Sequence, residues 1–300
     1  MTADTAVAAA PELGIDPGIV PGAALDSSVS RRRRGFGFWL AVAWLGGITV
    51  AALFSPLLPL PDPHQELAGP PLAGLSLHHL AGTDLIGHDL FSQVIYGARM
   101  SLLVGAVSVA FGLLVGGTLG VIAGYLQGAT DAVTTWATDV LLVFPGLVFA
   151  LALVSFIGPS TTSVLLAISV LAVPVYTRVA RATTLSVSRR DFVTAARALG
   201  ATRRRIMLRE IAPNVAITLL PYAALGASVA ILAEGGLAFL GVGVPGSLSW
   251  GSMIAQGQSQ LRQAPQAAFA PMLGMFFTLL SLNLIGEKLG GSIDPREANV

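Results

Sequence analysis

The sequence predicts an all-α membrane protein, a bundle of six transmembrane helices. Three observations carry this. Of the 300 residues, 54% are apolar and 11% charged, and mean hydropathy is +0.75. A soluble fold carries roughly 25% charge, so much of this apolar surface must face lipid. The apolar residues also fall in long uncharged runs, and the bases divide unevenly between the runs' two flanks.

The first run, Phe36–Leu58, is uncharged and would span about 34 Å as a helix, enough to cross a bilayer. Arg31 to Arg34 stand directly before it. A cleaved signal peptide is the competing reading, but the run is longer than a usual signal core and lies behind a 30-residue tail. Five further runs follow: Ser101–Leu126, Thr134–Ile157, Ser163–Val179, Val215–Val244 and Ala270–Ile285. The fifth span is long, holds Glu234, and has room for a re-entrant piece around Gly241–Trp250. Pro145 and Pro174 inside spans predict kinks. Gly112, Gly116 and Gly120 form two overlapping Gly-x-x-x-Gly units, which let helices approach closely.

Six spans put both termini on one side. With the N-terminus in the cytoplasm, fifteen of the seventeen bases fall inside, leaving Arg99 and Arg262 outside, as the positive-inside rule requires. The resulting organisation is a disordered acidic cytoplasmic tail (1–30) and a first span with its basic flank (31–58). Next come an extracytoplasmic loop (59–98) rich in proline and a five-helix core (99–287). Within the core lies a cytoplasmic loop (180–213), and a short tail (288–300) closes the chain.

That loop is the strongest functional signal. Ser188 and Asp191 have capping-box spacing, Ala195 and Ala196 favour helix, and Gly200 stands where a C-terminal left-handed residue is expected. A second short helix is predicted from Thr202 through Arg209, broken by Pro213. Phe192 is the one bulky apolar residue among small ones on the first helix. Such an elbow suits docking of a soluble partner. An amphipathic loop resting on lipid headgroups is the equal alternative on these grounds.

Two carboxylates, Asp139 and Glu234, fall within spans, where an unpaired acid costs a few kcal/mol and so must face the protein interior or water. Asp139 is read as structural, near the inner end of its span. Glu234, beside Gly235 and Gly236, is equally a structural group or part of a pathway. Proton coupling through Glu234 would make the chain a stand-alone secondary transporter.

Catalytic chemistry has no foothold. There is no cysteine, no Gly-x-Ser-x-Gly elbow, and His64, His78, His79 and His88 all lie in the outer loop without the spacing of a helical metal site. The sole lysine, Lys288, is flanked by Glu287 and Leu289, so no P-loop can form. Nothing points to nucleic acid, a metal or a bound cofactor.

Ala195-Ala196-(three residues)-Gly200 followed by Ile211-Ala212-Pro213-Asn214 resembles the signature loop of binding-protein-dependent ABC permeases. The block Gly82-Thr83-Asp84 to Asp89 and the run Tyr96-Gly97-Ala98-Arg99 carry the likeness further. So do Asp139 to Pro145, Glu234 to Gly243 with Trp250-Gly251, Asn283 to Glu287, and Asp294-Pro295-Arg296. Together they resemble the second (C-type) membrane subunit of the dipeptide, oligopeptide and nickel importers. The departures are His88 and Gln93, where that family usually has Arg, and Glu210, where it has His. The resemblance implies a permease paired with a second permease, with two ATPase subunits that bind ATP and Mg docked below and a solute-binding protein above. It makes Asp191, Phe192, Ala195, Ala196, Gly200 and Pro213 the coupling residues, with peptides as the commonest cargo.

Overall fold

A computed structural model describes residues 35–293 apart from residue 245. The acidic tail, the Arg31–Arg34 run and Asp294-Pro295-Arg296 lie outside the described residues. No strand occurs among the described residues, apart from one isolated bridge between Thr83 and Asp89. The helices are α1 (Phe36–Leu53), α2 (Leu90–Leu126), α3 (Gly128–Val143), α4 (Gly146–Ile157), α5 (Thr161–Val187), α6 (Asp191–Ala198), α7 (Arg203–Val242), α8 (Trp250–Gln258) and α9 (Gln266–Ile293). Five of them are long and apolar enough to cross a membrane. The α3–α4 pair adds a sixth span if it counts as one.

The expected third span is thus two helices meeting at 87°. Pro145 does more than kink. Steric conflict with its ring drives Phe144 into the extended region (φ −77°, ψ 132°), which ends α3. Pro174, by contrast, sits inside an unbroken α5. The second span starts at Leu90 rather than Ser101, because Asp89 caps it: its carboxylate accepts the Ser92 N–H at 2.7 Å. The proline-rich loop therefore ends at Asp89, and residues 90–98 are helical.

The glycine ladder of α2 lies against α5. A Cβ added at Gly116 would stand 2.5 Å from the Val173 carbonyl oxygen, and one at Gly120 2.5 Å from that of Thr177. Only hydrogen fits there. Tyr176 fills the gap between α2, α5 and α7 and donates its hydroxyl proton to the Tyr222 carbonyl at 3.2 Å.

Three apolar clusters run through the bundle. One joins Ile48 of α1, Ile95 of α2, Ile231 of α7, Trp250 and Met253 of α8 and Met275 of α9. A second joins Val104, Val154, Val164, Ile168 and Leu237. The third, at the arginine-rich end, holds Tyr176, Val187, Val193, Ile206 and Ile211. Many other apolar side chains point outward, among them Trp136, Val143 and Phe156, as lipid or a partner subunit requires.

The proline-rich loop is folded rather than loose. Thr83, fully buried, donates to the Pro70 carbonyl at 2.6 Å and accepts the Ala73 N–H at 2.8 Å. His79 pairs with Asp89 at 2.8 Å, and His88 with Asp84 at 2.7 Å. Ser92 and Gln93 of α2 donate to the Pro61 and Pro63 carbonyls. These bonds explain why the Gly82–Asp89 block carries so many small and polar residues. No group of three His, Asp or Glu close enough to share a metal occurs among the described residues.

Candidate functional site

The elbow between α5 and α7 is built from local rules. Helix α5 ends at Val187, and the Ser188 hydroxyl bonds back to the Thr184 carbonyl. That use of Ser188 corrects the expected capping box: the N-cap of α6 is Arg190, whose extended backbone (ψ 153°) starts the helix without a side-chain cap. Asp191 still occupies the first turn, where its negative charge suits the helix dipole.

The C-terminus of α6 closes as a Schellman motif. Gly200 N–H bonds the Arg197 carbonyl and Ala201 N–H bonds that of Ala196, each at 3.0 Å. Gly200 has φ +79°, and nothing lies within 4 Å of where its Cβ would be. The requirement for glycine is therefore conformational, not steric.

Pro213 does not break the second helix, contrary to expectation. Helix α7 runs from Arg203 through Leu240 without a break before the kink at Gly241, with a widened π turn over Ile206–Ile211 just ahead of the proline. The wider turn accommodates a residue that has no N–H and whose ring would otherwise strike the preceding turn. The Asn214 side-chain amide donates to the Glu210 carbonyl at 2.7 Å, satisfying one acceptor of that turn.

Two faces of α6 divide the work. Val193, fully buried, keys into the cluster with Val187, Ile206 and Ile211, and Arg197 lies over the Tyr125 ring of α2 at 5.5 Å. On the outer side Phe192, Ala195 and Leu199 recur at helical spacing and are exposed, while Ala196 is half-buried against the same cluster as Val193. Leu199 is 88% exposed. It was missed in the sequence, where Phe192 stood as the only bulky residue. Its signal was an apolar side chain directly before the turn glycine.

The intramembrane acids lie elsewhere. Asp139 of α3 accepts from Arg178 of α5 at 2.6 Å, and Asp131 is held bidentately by Arg181, one of the two bonds measuring 2.6 Å. Arg178 and Arg181, two of the fifteen bases expected on the inner side, therefore lace α3 to α5. Arg181 is half-covered and keeps access to solvent, so Asp131→Ala should cost about 1 kcal/mol through loss of the bidentate pair. Thermal unfolding in detergent should show the Asp131→Ala, Arg181→Ala double variant losing less than the two single variants combined. A double variant as unstable as the sum of the singles would mean that the pair is not coupled.

Glu234, 4% exposed, sits where α2, α7 and α8 meet. Ser101 of α2 donates to its carboxylate at 3.2 Å and accepts the Trp250 N–H of α8 at 3.3 Å. The Trp250 indole donates to the Val94 carbonyl at 3.0 Å, and Gly251 touches Gly235 so closely that a Cβ there would stand 2.4 Å from its Cα. The backbone around Glu234 is regular helix and not loosened; the first non-helical residue is Gly241 (φ +80°). Where the re-entrant piece was expected, the described residues between Val242 and Trp250 have no regular structure and lead into the capped helix α8.

Comparison with known proteins agrees with this architecture. The binding-protein-dependent transport system inner membrane component family matches residues 116–299. The dipeptide transport system permease protein DppC of Alkalihalophilus pseudofirmus is 35% identical, over 82% of this chain and 81% of its own. The di/tripeptide permease DppC of Pseudomonas aeruginosa is 36% identical over 87% and 92%. The glutathione transport system permease protein GsiD of Pectobacterium atrosepticum is 34% identical over 74% of each. Among solved structures, an inward-facing MetNI methionine ABC transporter chain matches the fold with a TM-score of 0.57. It is 15% identical, and the match covers 67% of this chain and 96% of that one. The chain is therefore a multi-pass membrane permease, and it belongs to the family of binding-protein-dependent transport system inner membrane components.

Proposed function

We propose that this chain is one of two permeases of an ATP-driven importer for peptides or solutes of similar size, with its elbow as the docking point for the ATPase. The observation that carries this is the exposed stripe of Phe192, Ala195 and Leu199 on a helix locked to the core through Val193 and Arg197. A stripe on a mobile loop could bind a partner without transmitting force; this one is fastened to α2, α5 and α7. ATP and Mg belong to the ATPase subunits, since no phosphate-binding loop exists here. The second permease completes the path, and a solute-binding protein delivers cargo from outside. Both termini lie in the cytoplasm, by the distribution of bases. Relatives that carry dipeptides, tripeptides and glutathione support the cargo class. Glu234 is assigned to holding α8 rather than to proton coupling, because its carboxylate is engaged by Ser101 at a helix junction.

Affinity purification in mild detergent tests the assembly. The wild-type chain should bring down an ATPase and a second permease. Leu199→Asp puts a charge into the apolar stripe and should release the ATPase while the second permease stays bound, because that residue touches neither the core nor a span. Recovery of the chain without any partner, folded and in good yield, would favour the proton-coupled carrier.

A further inference from the structure

Where α5 ends and the apolar part of α7 begins, the two helices part around a cleft of about 470 Å³, within the range of small-molecule sites. Thr183, Ser186 and Arg190 line one wall; Asn214, Ile217 and Thr218 line the other. The hydroxyls of Thr183 and Thr218 donate back to the Val179 and Asn214 carbonyls. The free donors are the Arg190 guanidinium, the Ser186 hydroxyl and the second N–H of the Asn214 amide. Among the described residues no acid pairs with Arg190. Asp191 and Glu210, the two acids between residues 182 and 218, make no ion pair with it, whereas seven arginines stand in that stretch.

This donor set suits a phosphate: a planar fork for two oxygens, with a hydroxyl and an amide for the others. The surroundings decide which phosphate. Ile217 and Leu220, each 51% exposed, continue the wall of the cleft along α7 into the apolar part of the bundle. Arg203, Arg204, Arg205 and Arg209 stand on its opposite, polar side along the same helix. A polar socket opening onto an apolar wall matches an amphiphile in headgroup and chain. We propose that the cleft binds the headgroup of an anionic phospholipid, with Arg190 holding the phosphate and an acyl chain on Ile217 and Leu220. It lies beside the elbow and would join the position of α6 to the lipid around it. The inference does not depend on the identity of the ATPase or the cargo.

Thermal unfolding of the full-length chain, purified in mild detergent with the subunits that accompany it, tests this. Phosphatidylglycerol should raise the Tm saturably, and phosphatidylcholine should not. Arg190→Gln, at an exposed side chain without a partner, should need about tenfold more phosphatidylglycerol for the same shift, the loss of one charge-assisted bond. Arg204→Gln, outside the cleft, should leave the midpoint unchanged. Equal weakening by both variants would mean diffuse attraction and no site. An equal response to phosphatidylcholine would mean chain packing alone. A shift reproduced by inorganic phosphate would make the ligand a soluble phosphate compound and overturn the lipid assignment.

Discussion

Gly120→Val should remove nearly all folded protein from the membrane. Every added Cβ there meets backbone: 2.5 Å from the Thr177 carbonyl oxygen and 2.8 Å from the Arg181 nitrogen, with the Ala180 methyl also at 2.5 Å. Backbone cannot rotate away as a side-chain tip can, so α2 and α5 must separate. Overpacking commonly costs about 1–3 kcal/mol, and here it opens the seam that also positions Tyr176 and the Asp131–Arg181 pair. A graded series checks the cause. Gly116→Ala, against the Val173 carbonyl, should fail nearly as badly, and Gly112→Ala less so, because its nearest contact is the Tyr176 ring at 2.4 Å. Gly46→Ala on α1, with open space around it, should be silent. Fluorescence-detected gel filtration after membrane extraction reads all four; a monodisperse Gly120→Val protein at wild-type yield would refute the packing argument.

The second large effect is expected at Gly200. Gly200→Val should insert and fold normally yet lose uptake. The left-handed turn costs an ordinary residue about 1–2 kcal/mol and a β-branched one more, and the exposed turn lies outside the packed core. The variant therefore redirects α6 instead of unfolding the bundle. Gly200→Asn makes the test specific. Asparagine tolerates φ > 0, and no atom lies within 4 Å of the new Cβ, so uptake should largely return. Uptake into vesicles loaded with ATP, normalised to protein level, gives the comparison. Normal transport by Gly200→Val would remove the turn from the coupling mechanism, and failure of both variants would point to a steric demand by the partner instead.

The periodic and conformational features of this chain were legible before any coordinates. Long apolar runs located the spans, the glycine repeat marked the α2–α5 seam, and Gly200 announced a left-handed turn. Features that depend on which residues meet across the bundle were not. Arg178 and Arg181 read as flanking charges, because nothing local says that α3 will bring Asp139 and Asp131 alongside them. Pro145 and Pro213 look alike in sequence. One ends a helix because Phe144 turns extended, and the other is absorbed by a widened turn that only the register of α7 reveals. Ser188 offered a valid cap for α6, but its hydroxyl was already committed to the last turn of α5. In each case a local rule was sound and a neighbour decided its use. At the candidate site, Asp191, Phe192, Ala195, Ala196, Gly200 and Pro213 fall on one elbow, while Leu199 and the anchoring Val193 needed the fold to show which way each side of α6 looks.

The continuity of α7 has a mechanical consequence. At 1.5 Å per residue, the part of α7 before the Gly241 kink, Arg203 to Leu240, forms a rod roughly 57 Å long with no loop in it. Its near end carries Ile206, packed against the elbow, and its far end carries Glu234 and the contact with α8. A tilt of about 5° moves one end relative to the other by about 5 Å over that length. The backbone of α7 departs from regular α-helix in the π turn at Ile206–Ile211 and again at Ala238–Val242, where Gly241 turns left-handed. A displacement delivered at the arginine-rich end would reach the α8 contact through one continuous helix, needing no chain of side-chain rearrangements between.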